Sequence, residues 1–110
     1  MAQRQATEPS PAAAAIRILV VRSGGFAGIR QQWRVESRDG DGDDLDHWTA
    51  LVTACPWDSV GVDRESRDRF IWQIEARMPR ATRTARVPDA LLVGPWRALV
   101  DRVQEVGSHG

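Results

Sequence analysis

The sequence predicts an α+β fold, a two-layer domain in which a four-stranded, mainly antiparallel sheet has two helices on one face. Four segments are rich in β-branched residues or have apolar residues at alternate positions, as strands do. Two further segments have apolar residues at helical spacing, and the order along the chain is ββαββα. Two hairpins and two one-sided helices bury their apolar faces when the helices stack on the sheet.

Length and charge limit what the domain can be. The chain has 110 residues, which is the size of one domain, and its 15 basic and 15 acidic residues give a formal net charge of zero. No overall attraction to nucleic acid or to a membrane surface follows from that balance, so any partner must be recognised locally. We expect a disordered tail over residues 1–15, one domain over 16–107, a flexible C-terminus over 108–110, and a monomer in the free state.

The first hairpin consists of the β-branched run from Ile16 to Arg22 and a second strand that begins near Ile29. In residues 29–36 the odd and even positions alternate in polarity, and the alternation places Ile29 on the core face together with Trp33 and Val35. The connecting segment "SGGFAG" is rich in glycine and has a phenylalanine near its middle.

A first helix is expected after the acidic loop "SRDGDGDDLD", with Asp43 or Asp44 as its N-cap and Pro56 after its end. Its apolar residues at helical spacing are Leu45, Trp48, Leu51, Val52 and Cys55. Pro88 ends the second hairpin, which pairs "FIWQIEARM" with "TRTARV". A second helix starts at Pro95 and stops at Gly107. Its apolar face is predicted to contain Trp96, Leu99, Val100, Val103 and Val106.

Few residues indicate a catalytic, metal or cofactor site, so we expect that the protein is not an enzyme and binds no cofactor. The aspartates of "DGDGDD" alternate as in a calcium loop, but Asp44 and Ala50 stand where such a loop needs glycine and glutamate. His47 is expected to face solvent, and Cys55 to be a small core residue rather than a nucleophile. The glycine-rich loop leads into a strand and not into a helix, which disfavours phosphate binding.

Two further features bear on partners and location. The arginines at 77, 80, 83 and 86 are expected on different sides of a solvated edge rather than in one basic patch. Arg17 interrupts the apolar stretch near the N-terminus, and no run approaches the roughly 18 apolar residues of a membrane span. Because Cys55 is the only cysteine, no intramolecular disulfide can form, and we expect a cytoplasmic protein.

Two interpretations of the glycine-rich loop remain open on residues alone. In the first, Gly24, Gly25 and Gly28 supply positive φ angles to a hairpin whose Phe26 folds back over the sheet edge. In the second, a wide loop presents Phe26 and Ile29 beside Arg30 for insertion into a cleft.

The stretch "RILVVRSGGFAGIRQQWRV" resembles the opening hairpin of the emfourin family, small protein inhibitors of protealysin and related thermolysin-like zinc metalloproteases. The match is close from Arg22 to Arg30 and looser elsewhere; the tail over residues 1–15 and the loop "DGDGDD" depart from the family pattern. The resemblance implies a cytoplasmic bacterial inhibitor that occupies the active-site cleft of such a protease.

That resemblance assigns roles to particular residues. Arg22 would support the base of the inhibitory loop, and either Ile29 or Phe26 would fill the protease pocket just past the scissile bond. The residues expected to contact the protease are Ser23, Gly24, Gly25, Phe26, Ala27, Gly28, Ile29 and Arg30. The alternative is a non-enzymatic interaction module that uses the same loop for a partner other than a protease.

Overall fold

In the part of the chain that the structure describes, five antiparallel strands form a single sheet in the order β4-β3-β1-β2-β5. The structure is a computed structural model, and it describes residues 15–24, 30–38, 43–60 and 70–109. The strands are β1 (Ile16–Gly24), β2 (Gln31–Ser37), β3 (Phe70–Met78), β4 (Ala81–Pro88) and β5 (Ser108–His109). The helices are α1 (Asp43–Thr53) and α2 (Pro95–Val106), and a 3₁₀ turn spans Asp89–Leu91.

The central strand β1 fixes the register of the sheet. On one side Ile16 lies opposite Ser37, and Arg22 lies opposite Gln31 at the other end of the pairing. On the other side the pairing with β3 continues as far as Gly24 opposite Phe70. Because paired residues in an antiparallel sheet share a face, this register decides which side chains meet the helices and which meet solvent.

Both helices pack on the sheet face that contains the even-numbered residues of β1, here called the helix face. Most of its side chains and those of the inner sides of α1 and α2 are almost completely buried in one cluster. The strand members are Ile16, Ile18, Val20, Trp33, Val35, Trp72, Ile74, Ala76 and Val87, and the helical members include Trp48, Val52, Trp96, Leu99, Val100 and Val103. The alternation that predicted Trp33 and Val35 to face inward is therefore confirmed.

The prediction of four strands was short by one. After Gly107 the chain turns back, and Ser108 and His109 pair with Arg34 and Trp33 on the free edge of β2, in the segment assigned to a flexible C-terminus. The chain can turn this closely because residue 107 is a glycine. A Cβ atom at this position would lie only 2.5 Å from the carbonyl oxygen of Val103. A two-residue strand has no alternation that a sequence pattern could detect.

Two helix predictions need adjustment. Val106 was expected on the apolar face of α2, but it is 51% exposed, because it is the last residue of α2. Helix α1 begins at Asp43, so Asp43 and Asp44 lie in the first turn rather than at the N-cap. Asp44 instead accepts a hydrogen bond from the hydroxyl of Ser37 at 3.2 Å, which links α1 to the end of β2.

Candidate functional site

The predicted inhibitory loop begins and ends at described residues. Strand β1 ends at Gly24, and Arg30 comes directly before β2. The segment 25–29, which includes Phe26 and Ile29, lies outside the described residues, so the roles assigned to it stay predictions. What the structure describes is the base from which this loop leaves the sheet.

Arg22 is a charged residue on the helix face, where it follows Ile18 and Val20 at the two-residue strand period. Its guanidinium carbon lies 4.3 Å from the ring centroid of Phe70 and 5.7 Å from the ring centroids of Trp33 and Trp72. These four residues, Arg22, Trp33, Phe70 and Trp72, are called the arginine–aromatic cluster below. Contacts of this kind attract the cation to the ring faces by about 0.5–2 kcal/mol each, and more where water is excluded.

The aromatic members are held in place by their own neighbours. Trp33 and Trp72 stack with ring centroids 6.0 Å apart, and His109 of β5 stacks on Trp33 at 4.9 Å with an interplanar angle of 7°. The indole N–H of Trp72 donates a hydrogen bond of 2.9 Å to a carboxylate oxygen of Asp89. The cluster thus joins strands β1, β2, β3 and β5 and the 3₁₀ turn at the loop end of the sheet.

The guanidinium of Arg22 is positioned by one side-chain hydrogen bond as well as by the rings. Its Nη2 donates to the amide oxygen of Gln31, the residue directly opposite on β2. Its Nε is buried and has no hydrogen-bond partner in the part of the chain that the structure describes. A buried unpaired donor costs free energy, so the contacts with the rings must offset that cost.

The backbone at the loop base also has a special conformation. Gly24, the last residue of β1, has a φ angle of 90°. L-residues with a Cβ atom rarely adopt this region, whereas glycine does so at no steric cost. Ser23 precedes it with ordinary strand geometry, opposite Ile71 on the face away from the helices. The chain therefore leaves the sheet at a position where only glycine is free of strain.

Arg30, on the other side of the loop, differs from Arg22. It is exposed and makes no ion pair with any described residue, and it lies beside Leu19 and Val21 on the sheet face away from the helices. The two arginines that flank the loop thus lie on opposite faces of the sheet. Arg22 is held within the protein, whereas Arg30 is available to a partner.

The other residues weighed as candidates for a catalytic or metal site are Cys55, His47 and the aspartates of the acidic loop. Cys55 is 5% exposed, and burial raises the pKa of its thiol to about 11, which confirms it as a core residue. His47 is exposed, as expected. Residues 39–42 of the acidic loop lie outside the described residues, and within the described ranges no group of three His, Cys, Asp or Glu side chains could hold a metal ion.

The arginines at 77, 80, 83 and 86 do not form one patch, which confirms the prediction. Arg77 and Arg86 belong to the face away from the helices, and Arg83 belongs to the helix face. Arg77 pairs with Glu75 at 3.0 Å, and Arg83 lies 3.9 Å from Asp58. Arg80 lies in the turn between β3 and β4.

In comparison with protein families, the chain matches the Emfourin family model over residues 20–104. The chain belongs to the Emfourin family. The matched region includes the hairpin loop, all four residues of the arginine–aromatic cluster, α1 and most of α2. Membership implies a metalloprotease inhibitor in broad terms, and an inhibitor family is consistent with a protein that is not an enzyme. No curated protein and no solved structure gives a significant match.

The family resemblance predicted that Arg22 supports the loop, but the aromatic residues around Arg22 were not predicted. A signal was present, because the strand period placed Arg22 on the same face as Ile18 and Val20, where a charge needs special neighbours. Trp33 lies on β2, whereas Phe70 and Trp72 lie on β3, so the meeting of the three rings around Arg22 depends on the register of the sheet. As for membranes, no helix in the described ranges has the length and apolar character of a bilayer span.

Proposed function

We propose that this Emfourin-family protein inhibits a thermolysin-like, protealysin-like zinc metalloprotease by inserting the hairpin loop 23–30 into the active-site cleft. The observation that most supports the proposal is the family match over residues 20–104, which includes that loop. In this proposal the protein acts as a bacterial cytoplasmic monomer, and its domain extends over residues 16–107.

The loop base suits a rigid inhibitor. A substrate-like loop binds more tightly when little conformational entropy remains to be lost, and a fixed geometry also slows its cleavage. The contacts of Arg22 with three rings and the backbone conformation of Gly24 fix the direction in which β1 leaves the sheet. In this proposal Arg22 is a positioning residue that does not touch the protease.

Within the loop, an apolar side chain fills the pocket just past the scissile bond, and burial of such a side chain is worth about 1.5–3 kcal/mol. Ile29 is the first candidate and Phe26 the second. Arg30 is exposed at the end of the loop and would contact a carboxylate or a carbonyl group of the neighbouring subsite.

Titration of thermolysin and of protealysin with the protein, read as hydrolysis of a peptide substrate, tests the proposal. We expect stoichiometric loss of activity for at least one of them. Full activity of both at a large molar excess of the protein would contradict the proposal and favour an interaction module with another partner.

Alanine variants then assign the pocket residue. Ile29→Ala or Phe26→Ala, whichever removes the anchoring side chain, should raise the inhibition constant by about tenfold or more. Arg30→Ala should also raise it, because a charge contact is lost. The thermal unfolding midpoint should stay nearly unchanged in all three variants. Unfolding of these variants would show instead that the residues are structural.

A further inference from the structure

A groove of about 540 Å³ crosses the sheet face away from the helices, beginning at the base of the loop. Its floor is apolar, with Leu19 half-buried and Val21 only 3% exposed. Its walls include Arg30 on one side and Gln73, Thr84 and Arg86 on the other. We call it the open-face groove.

The charge of the open-face groove is unbalanced. Arg30 and Arg86 are both exposed, and neither makes an ion pair with another described residue. Glu75 also lines the groove, but its carboxylate lies 3.0 Å from Nε of Arg77, outside the groove, and is therefore already paired. Two guanidinium groups consequently flank an apolar floor, which is an arrangement complementary to a segment with both an acidic and an aliphatic side chain.

The groove is continuous with the proposed inhibitory loop. Leu19, Val21 and Ser23 share one face of β1, so the floor leads directly to the first loop residue. Arg30 belongs both to the loop and to the groove wall. The floor residues lie within five positions of Gly24, a length of about 17 Å along the strand, so a protease that encloses the loop comes close to the groove.

We propose that the open-face groove is a second contact surface for the inhibited protease. Its occupant is an extended segment at the rim of the active-site cleft, with an aspartate or glutamate side chain for Arg86 and an aliphatic side chain for the floor formed by Leu19 and Val21. This proposal rests on the proposed function. It adds a determinant of target choice that lies outside the inhibitory loop.

The open-face groove should act mainly on the choice of target and on the rate of association. Carboxylates bind arginine with bidentate geometry, which gives directional selectivity as well as attraction. Charges at the edge of an interface mainly change the association rate, and the change diminishes as salt screens them. Proteases with an acidic rim should therefore be inhibited faster than proteases with a basic rim.

The test is Arg86→Glu, with Arg80→Glu as the matched control. Both change the charge by the same amount at exposed sites of the β3–β4 hairpin, but Arg80 lies in the turn at the end of the sheet away from the loop. Against whichever of thermolysin and protealysin the unmodified protein inhibits, Arg86→Glu should raise the inhibition constant by about tenfold, chiefly through slower association. The control should change it by less than about twofold.

Two further measurements complete the test, and two outcomes would contradict it. The effect of Arg86→Glu should shrink in about 0.5 M NaCl, and Arg86→Lys should restore part of the association rate. Equal inhibition constants for Arg86→Glu and Arg80→Glu, with both variants folded, would overturn the groove proposal while leaving inhibition by the loop intact. Failure of the unmodified protein to inhibit either protease would instead overturn the proposed function, and the groove proposal with it.

Discussion

The two faces of the sheet differ in what their side chains do. The helix face is covered by α1 and α2 and is apolar almost throughout, whereas the opposite face has an apolar floor bordered by arginine, glutamine and threonine. Among the described residues, two charges lie on the helix face: Arg83 is exposed beside Asp58, whereas Arg22 is enclosed by aromatic rings. The difference indicates that one face supplies stability, that the other is available for binding, and that Arg22 links the stable core to the loop.

The largest effect is expected for a core truncation on the helix face. Leu99 of α2 is fully buried, so Leu99→Ala should lower the free energy of unfolding by about 2–5 kcal/mol. Leu19→Ala on the opposite face, where the side chain is half-buried, should cost less than about 1.5 kcal/mol because the new space is open to water. Urea denaturation of the two variants measures both values. Equal losses would contradict the division between the faces.

An intermediate effect is expected at Arg22. Arg22→Ala removes contacts with three rings and the hydrogen bond to Gln31, and should lower the free energy of unfolding by about 1–3 kcal/mol. Arg34→Ala, an exposed arginine on β2, is the control and should change it by less than about 0.5 kcal/mol. The inhibition constant should rise for Arg22→Ala even at temperatures where the variant is fully folded. An unchanged constant would show that Arg22 does not position the loop.

A smaller effect is expected at the point where β1 enters the loop. Gly24 has a φ angle of 90°, so Gly24→Ala should cost about 1–2 kcal/mol of stability or redirect the loop. Ser23→Ala is the neighbouring control for stability, because its φ angle is not positive. Thermal unfolding together with the inhibition constant distinguishes strain from redirection. If Gly24→Ala changed neither the unfolding midpoint nor the inhibition constant, the backbone at this position would not matter.

The smallest effect is expected at Cys55, where the change appears only at high pH. Burial raises the pKa of its thiol from 9.0 to about 11 in the folded protein, so the unfolded chain loses this proton first as the pH rises. Stability should therefore fall between pH 9 and pH 11 and be unaffected by this group below pH 9. Cys55→Ala should remove that part of the decline. Rapid alkylation of the folded protein at neutral pH would contradict a buried neutral thiol.

Most of the fold could be predicted from hydrophobic periodicity, and the exceptions have physical causes. The alternating apolar residues of β3 and the helically spaced apolar residues of α2 each predicted one buried face, and each element has one. Both predictions were possible because each pattern extends over several residues. Strand β5 could not be predicted, since Ser108 and His109 pair through their backbones with an edge that only the folded sheet provides. Val106 was misplaced because it is the last residue of α2, and a periodic pattern does not show where packing at the end of a helix stops.

The candidate site was less accessible to sequence reasoning. The role of Arg22 at the loop base was predicted from family resemblance, but its neighbours depend on register, which brings Phe70 and Trp72 beside it across β3 and Trp33 across β2. The open-face groove was missed for a similar reason. Leu19, Val21 and Arg86 come from strands far apart in sequence, and their proximity follows from the order β4-β3-β1-β2.

Competition for the protease active site tests the central claim most directly. The dissociation constant of the protein should be measured with a thermolysin-like protease, first free and then saturated with a small zinc-binding transition-state analogue. If loop 23–30 occupies the active-site cleft, the analogue should weaken binding by at least about a hundredfold and leave only the contribution of the open-face groove. An unchanged dissociation constant would contradict insertion of the loop into the cleft.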